Sequence, residues 1–338
     1  MEKNIVQYTV QIILVSLIEK VIFILVAFYK PDHRLAILGM TIGYLLLAAV
    51  ILGMKRNALK PIKGVPKETT LSILKFALPY VPVLVLSWLN NSTPLLVLKR
   101  HVDYTAVGIY TNAVTIANIL HLVQTGFSTY WNPFIYEYYK DEKNKEKIAR
   151  IERLVVFVLI VTAISIILFQ DVIYLLVGSK FRASKVFFPF LMLTPICNCI
   201  ADMTGAGIML SKKSYLNIFT FLGSTSVNLM VSLLLVPRIG IMGAGIAVGL
   251  SANVMLLIRS FLGGKYYKIS TNNRFIVYAL GYMVIACVVN MGIANNKIRY
   301  VLISLLLLGV CLLFQKEIQY CVRFIRRELQ TIDKRREK

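Results

Sequence analysis

Ten apolar runs, each long enough to cross a bilayer, occupy most of this chain. They fall at residues 5–28, 35–53, 71–98, 104–128, 152–177, 187–209, 215–236, 241–262, 275–293 and 300–318. A helix needs about 20 apolar residues to span the hydrocarbon core. A backbone with no water to bond must satisfy its own N–H and C=O groups there, so runs of this length predict an all-α, polytopic integral membrane helix bundle of about ten transmembrane helices. The composition agrees. The chain is 57% hydrophobic and 16% charged, where an ordinary soluble domain carries about 25% charged residues, and its mean hydropathy is +0.70. The first run is too long for the apolar region of a signal peptide and no small-residue cleavage site follows it, so the N-terminus is expected to be retained.

A formal charge of +22 would suggest nucleic acid in a soluble protein. Here its distribution points to membrane topology and to no nucleic-acid partner. With both termini cytoplasmic, the segments facing the cytoplasm hold 25 Lys and Arg residues and those facing outward hold 10. That is the positive-inside asymmetry of a cytoplasmic (inner) membrane protein. The basic tail "RFIRRELQTIDKRREK" then reads as a cytoplasmic helix against anionic headgroups, making membrane lipids themselves a partner. A partner-docking role for the tail is the alternative. Five cysteines lie in or beside spans. Cys197 and Cys199 have the look of a metal pair, but two residues apart on a helix they point to nearly opposite sides, so they read as core thiols. No metal and no cofactor is expected.

The stretch "LVPRIGIMGAGIAVGLSANV" (235–254) crowds small residues into an apolar run. Each Gly in a helix costs about 1 kcal/mol relative to Ala, so close helix contact should offset it. Pro237 and Arg238 are expected to form a tight external turn. Gly240, Gly245 and Gly249 are expected to pack the following helix against its neighbours, the last two as a small-xxx-small pair.

The longer run "GSTSVNLMVSLLLVPRIGIMGAGIAVGLSANV" resembles the paired helices near the end of the second lobe in oligosaccharide flippases, the polysaccharide exporters of the multidrug/oligosaccharidyl-lipid/polysaccharide superfamily. Other elements follow that family's order. "LKFALPYVPVLVLSWLNNS" (74–92) is similar to the helix opening the second lobe, and "AVGIYTNA" (106–113) to the start of the next. "YWNPFIYEYYKD" (130–141) resembles a W-x-P loop, and "GIMLSKKS" (207–214) the turn after the lobe's fourth helix. The resemblance covers residues 69–262. It implies a MATE-like two-lobe architecture with an incomplete first lobe: residues 1–68 as its last two helices and a linker, 69–264 as a six-helix C-terminal lobe, and 265–338 as two further helices and the basic tail. It is as though the family's first four helices were absent. Two departures matter: the short first lobe, and Asn91-Ser92-Thr93-Pro94 where the family usually carries an Asp-Arg pair. A weak internal repeat fits two parallel lobes, since Gly39 and Gly43 precede Gly245 and Gly249 by 206 residues.

The function implied by the resemblance is translocation of an undecaprenyl-pyrophosphate-type lipid-linked oligosaccharide for surface polysaccharide (O-antigen or capsule) synthesis, with other polysaccharide assembly proteins as further partners. A pyrophosphate needs fixed cations at membrane depth. Lys20 is the deepest candidate, either lining a cavity or neutralising an acid on another helix. Its own span is marginal in lipid: sixteen Ile, Leu, Val and Phe residues supply about −7 kcal/mol, while Glu19 and Lys20 together cost about +5 to +7 kcal/mol. Lys75 and Arg259 lie near cytoplasmic helix ends, where they either meet phosphate or snorkel to headgroups. His121, inside the fourth span, is a phosphate contact or a neutral hydrogen-bonded histidine. Glu19 and Asp202 are the intramembrane carboxylates and the candidates for ion coupling, the feature that would favour an ion-coupled drug or cation antiporter of the same superfamily. A membrane polysaccharide polymerase is a third class. It would need an outward catalytic loop, every outward loop here is shorter than about fifteen residues, and no hydrolase, zincin or P-loop motif appears, so a transporter rather than an enzyme is expected.

Overall fold

The computed structural model describes residues 21–22, 25, 33–54, 67–78, 80–141, 144–267, 274–293 and 295–319. The chain divides into two units, Met1–Thr70 and Leu71–Lys338.

In the first unit, helix α1 (His33–Met54) covers the expected second span. Its Leu38, Ile42, Leu45 and Leu46 are exposed. Gly39 permits a close approach on the other side, because a Cβ there would stand 2.8 Å from the side chain of Ile22. Glu19 and Lys20 lie outside the described residues, as does most of the expected first span.

The second unit contains α2 (Lys67–Ala77, which begins just before the division), α3 (Tyr80–His101), α4 (Tyr104–Tyr138), α5 (Lys145–Leu168) and the short α6 (Gln170–Ile173). A 3₁₀ segment (Ser179–Val186) leads into α7 (Phe188–Thr204), then come α8 (Ala206–Leu210), α9 (Leu216–Ile239), α10 (Ile241–Gly264), α11 (Arg274–Gly292) and α12 (Asn296–Leu313). Among the described residues seven helices are long and apolar enough to cross a membrane, and an eighth span results if the 3₁₀ segment and α7, bent by 61°, count as one.

Helix α7 is the centre of the lobe. Thirteen of its 17 residues are buried, and it packs on α10, α4 and α5. Helix α9 lies between α10 and α3, while α11 and α12 pack together against α5. Cys197 and Cys199 are both fully buried free thiols, and no group of metal-binding side chains exists among the described residues.

Several boundaries differ from those read in the sequence, each for a local reason. The run 71–98 is broken between α2 and α3, where Pro79 cannot donate the N–H that a continuous helix requires. The run 187–209 breaks at Gly205, between α7 and α8. The W-x-P stretch, expected as a loop, continues α4 to Tyr138. Its aromatics recur at helical spacing and pack along one side, Trp131 stacked on the preceding Phe127 at 5.4 Å and Phe134 tilted against Tyr138 at 4.9 Å between centroids. Pro237 and Arg238 likewise stay helical, and the chain reverses at Gly240, with φ 60° and ψ −135°. That positive φ is the region glycine enters without a Cβ clash. Nothing lies within 4 Å of a Cβ placed on Gly240, so this glycine serves the turn and not helix packing. Gly245 and Gly249 do face a neighbour: their added Cβ atoms would lie 3.1 Å from Phe187 and 3.0 Å from Leu193.

Connections this short force successive helices to run antiparallel. Only residues 102–103 separate α3 from α4, Gly240 separates α9 from α10, and 293–295 separate α11 from α12. Together with the charge asymmetry, this alternation predicts that reporter fusions after Lys63, Lys145, Lys268 and Lys338 report cytoplasm and fusions at Lys30, Lys180 and Lys297 report the outside. An outward signal at Lys145 would overturn the topology.

Candidate functional site

Helix α4 presents two contrasting faces. Ala106, Tyr110, Ala113, Ile116, Ala117 and Leu120 are buried in the lobe. Thr111, Thr115, Asn118, His121, Thr125 and Thr129, spaced by three or four residues, are exposed on its surface. The threonine hydroxyls donate to carbonyls one turn back, Thr111 to Val107 at 2.8 Å and Thr129 to Thr125 at 2.8 Å, which lowers but does not remove their polarity. The Thr125 hydroxyl also lies 3.1 Å from His121 Nδ1. Amide and imidazole groups at membrane depth belong against protein or a water-filled path, not lipid.

Behind this stripe is a cavity of about 500 Å³ between α3, α4, α7, α9 and α10. Asn90 and Asn91 line it from α3, Asn118 and His121 from α4, Thr194 and Asn198 from α7, Ser224 from α9 and Ser251 from α10. Its described lining includes no carboxylate, ammonium or guanidinium. The wall can therefore bond hydroxyl and amide groups or water, and it offers a pyrophosphate uncharged amide and hydroxyl donors and the His121 imidazole.

Proline explains how this wall is held. Pro94 stands inside α3, so the carbonyl of Asn90, one turn earlier, has no helical N–H to accept from. Asn228 of α9 supplies the missing donor: its Nδ2 lies 2.8 Å from the Asn90 carbonyl oxygen and 3.0 Å from Oδ1. Ser232 in turn donates to Asn228 Oδ1 at 3.2 Å, and Asn228 is fully buried. Asn228→Leu should cost about 1 to 3 kcal/mol, the range for a stranded buried carbonyl. In a Pro94→Ala background the helix regains its own N–H, and the same substitution should cost clearly less. Thermal unfolding of the four proteins in detergent checks this, and an equal cost in both backgrounds would refute it.

A second cluster closes the opposite part of α4. Arg259 Nη1 of α10 lies 2.9 Å from Asp202 Oδ1 of α7. The Ser128 hydroxyl donates to Asp202 Oδ2 at 2.6 Å, and the Trp131 indole donates to the Asp202 carbonyl at 3.2 Å. Both charged side chains are mostly buried, at 24% and 18% exposure. The arginine expected to meet phosphate or snorkel and the aspartate expected to couple an ion thus face one another.

Of the six ligand or coupling residues named from the sequence, the structure brings Arg259 and Asp202 together and sets His121 on the cavity wall, apart from that pair. Lys75 is on α2, with its side chain outside the described residues, and Glu19 and Lys20 lie outside them altogether. The sequence reading missed the polar stripe and the Asn90–Asn228 bond. The T-x3-T-x2-N-x2-H-x3-T-x3-T spacing from Thr111 was the available signal for the first, and Pro94 for the second.

No protein-family model matches the chain, and no curated protein sequence does. Among solved structures, the chain is similar to a lipid II flippase, MurJ, in its inward closed conformation, with a TM-score of 0.60 and 14% identity over 91% of this chain. The match covers 66% of the flippase, so this chain spans less than two thirds of its length. The shared feature is the fold: an all-helical, multi-span membrane bundle of the kind a lipid flippase uses.

Proposed function

We propose that the chain belongs to a membrane flippase that carries a lipid-pyrophosphate-linked oligosaccharide across the cytoplasmic membrane for surface polysaccharide synthesis, with no covalent bond broken. The observation that carries this reading is the exposed polar stripe of α4, at membrane depth in a fold shared with a lipid II flippase. Neutral hydroxyl and amide groups suit a sugar, whose own hydroxyls exchange water for such partners at little net cost. The phosphate charges are assigned to cations elsewhere, Lys20 first. Three of the connections on the side assigned outward have only one to three residues, which also favours a transporter over a polymerase. The antiporter reading rests on Glu19, which lies outside the described residues, and on Asp202, a carboxylate engaged by Arg259 and Ser128.

Restoration of surface polysaccharide in a flippase-deficient host is the primary test. It is paired with proteoliposomes in which a fluorescent lipid-linked oligosaccharide becomes accessible to an impermeant quencher. Exchange of organic cations without lipid movement would replace this reading with the antiporter. Within the assay, Lys20→Arg should retain more transport than Lys20→Met at equal membrane abundance. Full activity of Lys20→Met would remove Lys20 from the phosphate role. Loss of abundance instead would identify a buried partner acid, whose stranding costs about 3 to 5 kcal/mol.

A further inference from the structure

At the end of the bundle away from the Asp202–Arg259 pair, three charged side chains from separate elements converge. Asp171 on α6 pairs with Lys185 of the 3₁₀ segment and, at 3.2 Å, with Arg299 Nη2 of α12. Two cations thus share one carboxylate, leaving a net positive charge. Arg299 is 9% exposed, and its Nε has no hydrogen-bond partner. Neutral contacts fix the frame around them: Gln170 donates to Asn290 Oδ1 at 2.5 Å, and Asn290 donates to the carbonyls of Lys185 and Val186 at 2.9 and 3.1 Å. Arg299 also sits in the first turn of α12, where the helix dipole adds positive potential and favours an anion.

We infer that this cluster is a binding site for the headgroup of an anionic phospholipid. The donors left over by Asp171, the orphaned guanidinium N–H and the surplus charge all ask for a second anion. The surface beside them suits acyl chains: Phe169, Val172 and Leu176, flanking Asp171, are 60%, 61% and 92% exposed. Charge and apolar surface therefore meet as they do in a phospholipid at the edge of the hydrocarbon core. The site ties α12 to α6 and the 3₁₀ segment through a lipid, independently of what the chain transports.

Native mass spectrometry of the full chain in detergent tests this, with phosphatidylglycerol and phosphatidylcholine of matched acyl chains and with inorganic phosphate at the same concentration. The wild type should retain phosphatidylglycerol preferentially. Arg299→Gln and Lys185→Gln should each weaken that retention about fivefold, the worth of one basic residue at a charged surface. Asp171→Asn, which removes the competing carboxylate, should strengthen it. A cluster that serves only as a structural ion pair would show no such gain. Equal retention of the two lipids by the wild type, or weaker retention by folded Asp171→Asn, overturns the inference. Occupancy by inorganic phosphate that displaces phosphatidylglycerol at equal concentration overturns the lipid assignment. Should the Arg299 variant fail to fold, the wild-type comparison and the Lys185 variant still decide.

Discussion

Gly207→Ala should nearly abolish folded protein, although it adds a single methyl group. A Cβ at Gly207 would stand 2.1 Å from the carbonyl oxygen of Gly263 and 2.7 Å from the backbone nitrogen of Tyr267. One at Gly263 would stand 2.5 Å from the Cα of Gly205. These are backbone-to-backbone contacts where α8 crosses the end of α10, so no rotamer change relieves them. The helices must separate, at a cost of about 3 kcal/mol, the upper part of the overpacking range. Gly281→Ala is the matched control, because nothing lies within 4 Å of a Cβ at Gly281 in α11. That change should be neutral or gain up to about 1 kcal/mol from helix propensity. Fluorescence-detected gel filtration and thermal unfolding in detergent would compare them. Similar yields for the two variants would show that the crossing is looser than described.

Arg259→Met should be the most damaging single charge removal among the described residues. It leaves Asp202 with the Ser128 hydroxyl but without a countercharge, 18% exposed in the lobe. Breaking such a pair costs about 3 kcal/mol when the partner charge stays behind. Asp202→Asn should cost a similar amount by stranding the guanidinium. The double variant should be more stable than the sum of the single losses predicts, by more than about 1.5 kcal/mol in a double-mutant cycle. Strict additivity would mean that the two groups do not depend on each other.

The spans were legible because membrane length and apolar content are properties of contiguous residues. Runs such as 104–128 and 241–262 needed no partner to be recognised. The breaks at Pro79 and Gly205 were less visible, because the flanking segments are apolar on both sides and hydropathy alone does not register a missing N–H or a kink. The W-x-P stretch looked like a loop for the opposite reason: it is polar and proline-containing, yet its aromatics stack at helical spacing and its tryptophan is anchored on Asp202. The Asp202–Arg259 pair shows what local reading lacks. Each residue stood out as an intramembrane charge, but their meeting depends on the packing of α7 on α10, close at Gly249 against Leu193 and Phe190, and on Gly205, where an added Cβ would stand 2.7 Å from the Arg259 side chain. The polar cavity was hidden because single Asn, Ser and Thr residues within apolar helices carry little weight until several helices direct them into one space.

Helix α4 has 35 residues, so at about 1.5 Å per residue it is about 52 Å long, well beyond the hydrocarbon thickness of about 30 Å. One continuous helix therefore joins the cavity wall at His121, the Asp202 attachment at Ser128 and the aromatic tip at Tyr138. It behaves as a lever arm: a 10° tilt about its midpoint would sweep each end by about 4.5 Å. A partner, a lipid headgroup or a change in the 139–144 linker that displaced the tip would thereby shift the Thr111 end of the polar wall, 27 residues away and on the far side of the pivot, with no unfolding along the path.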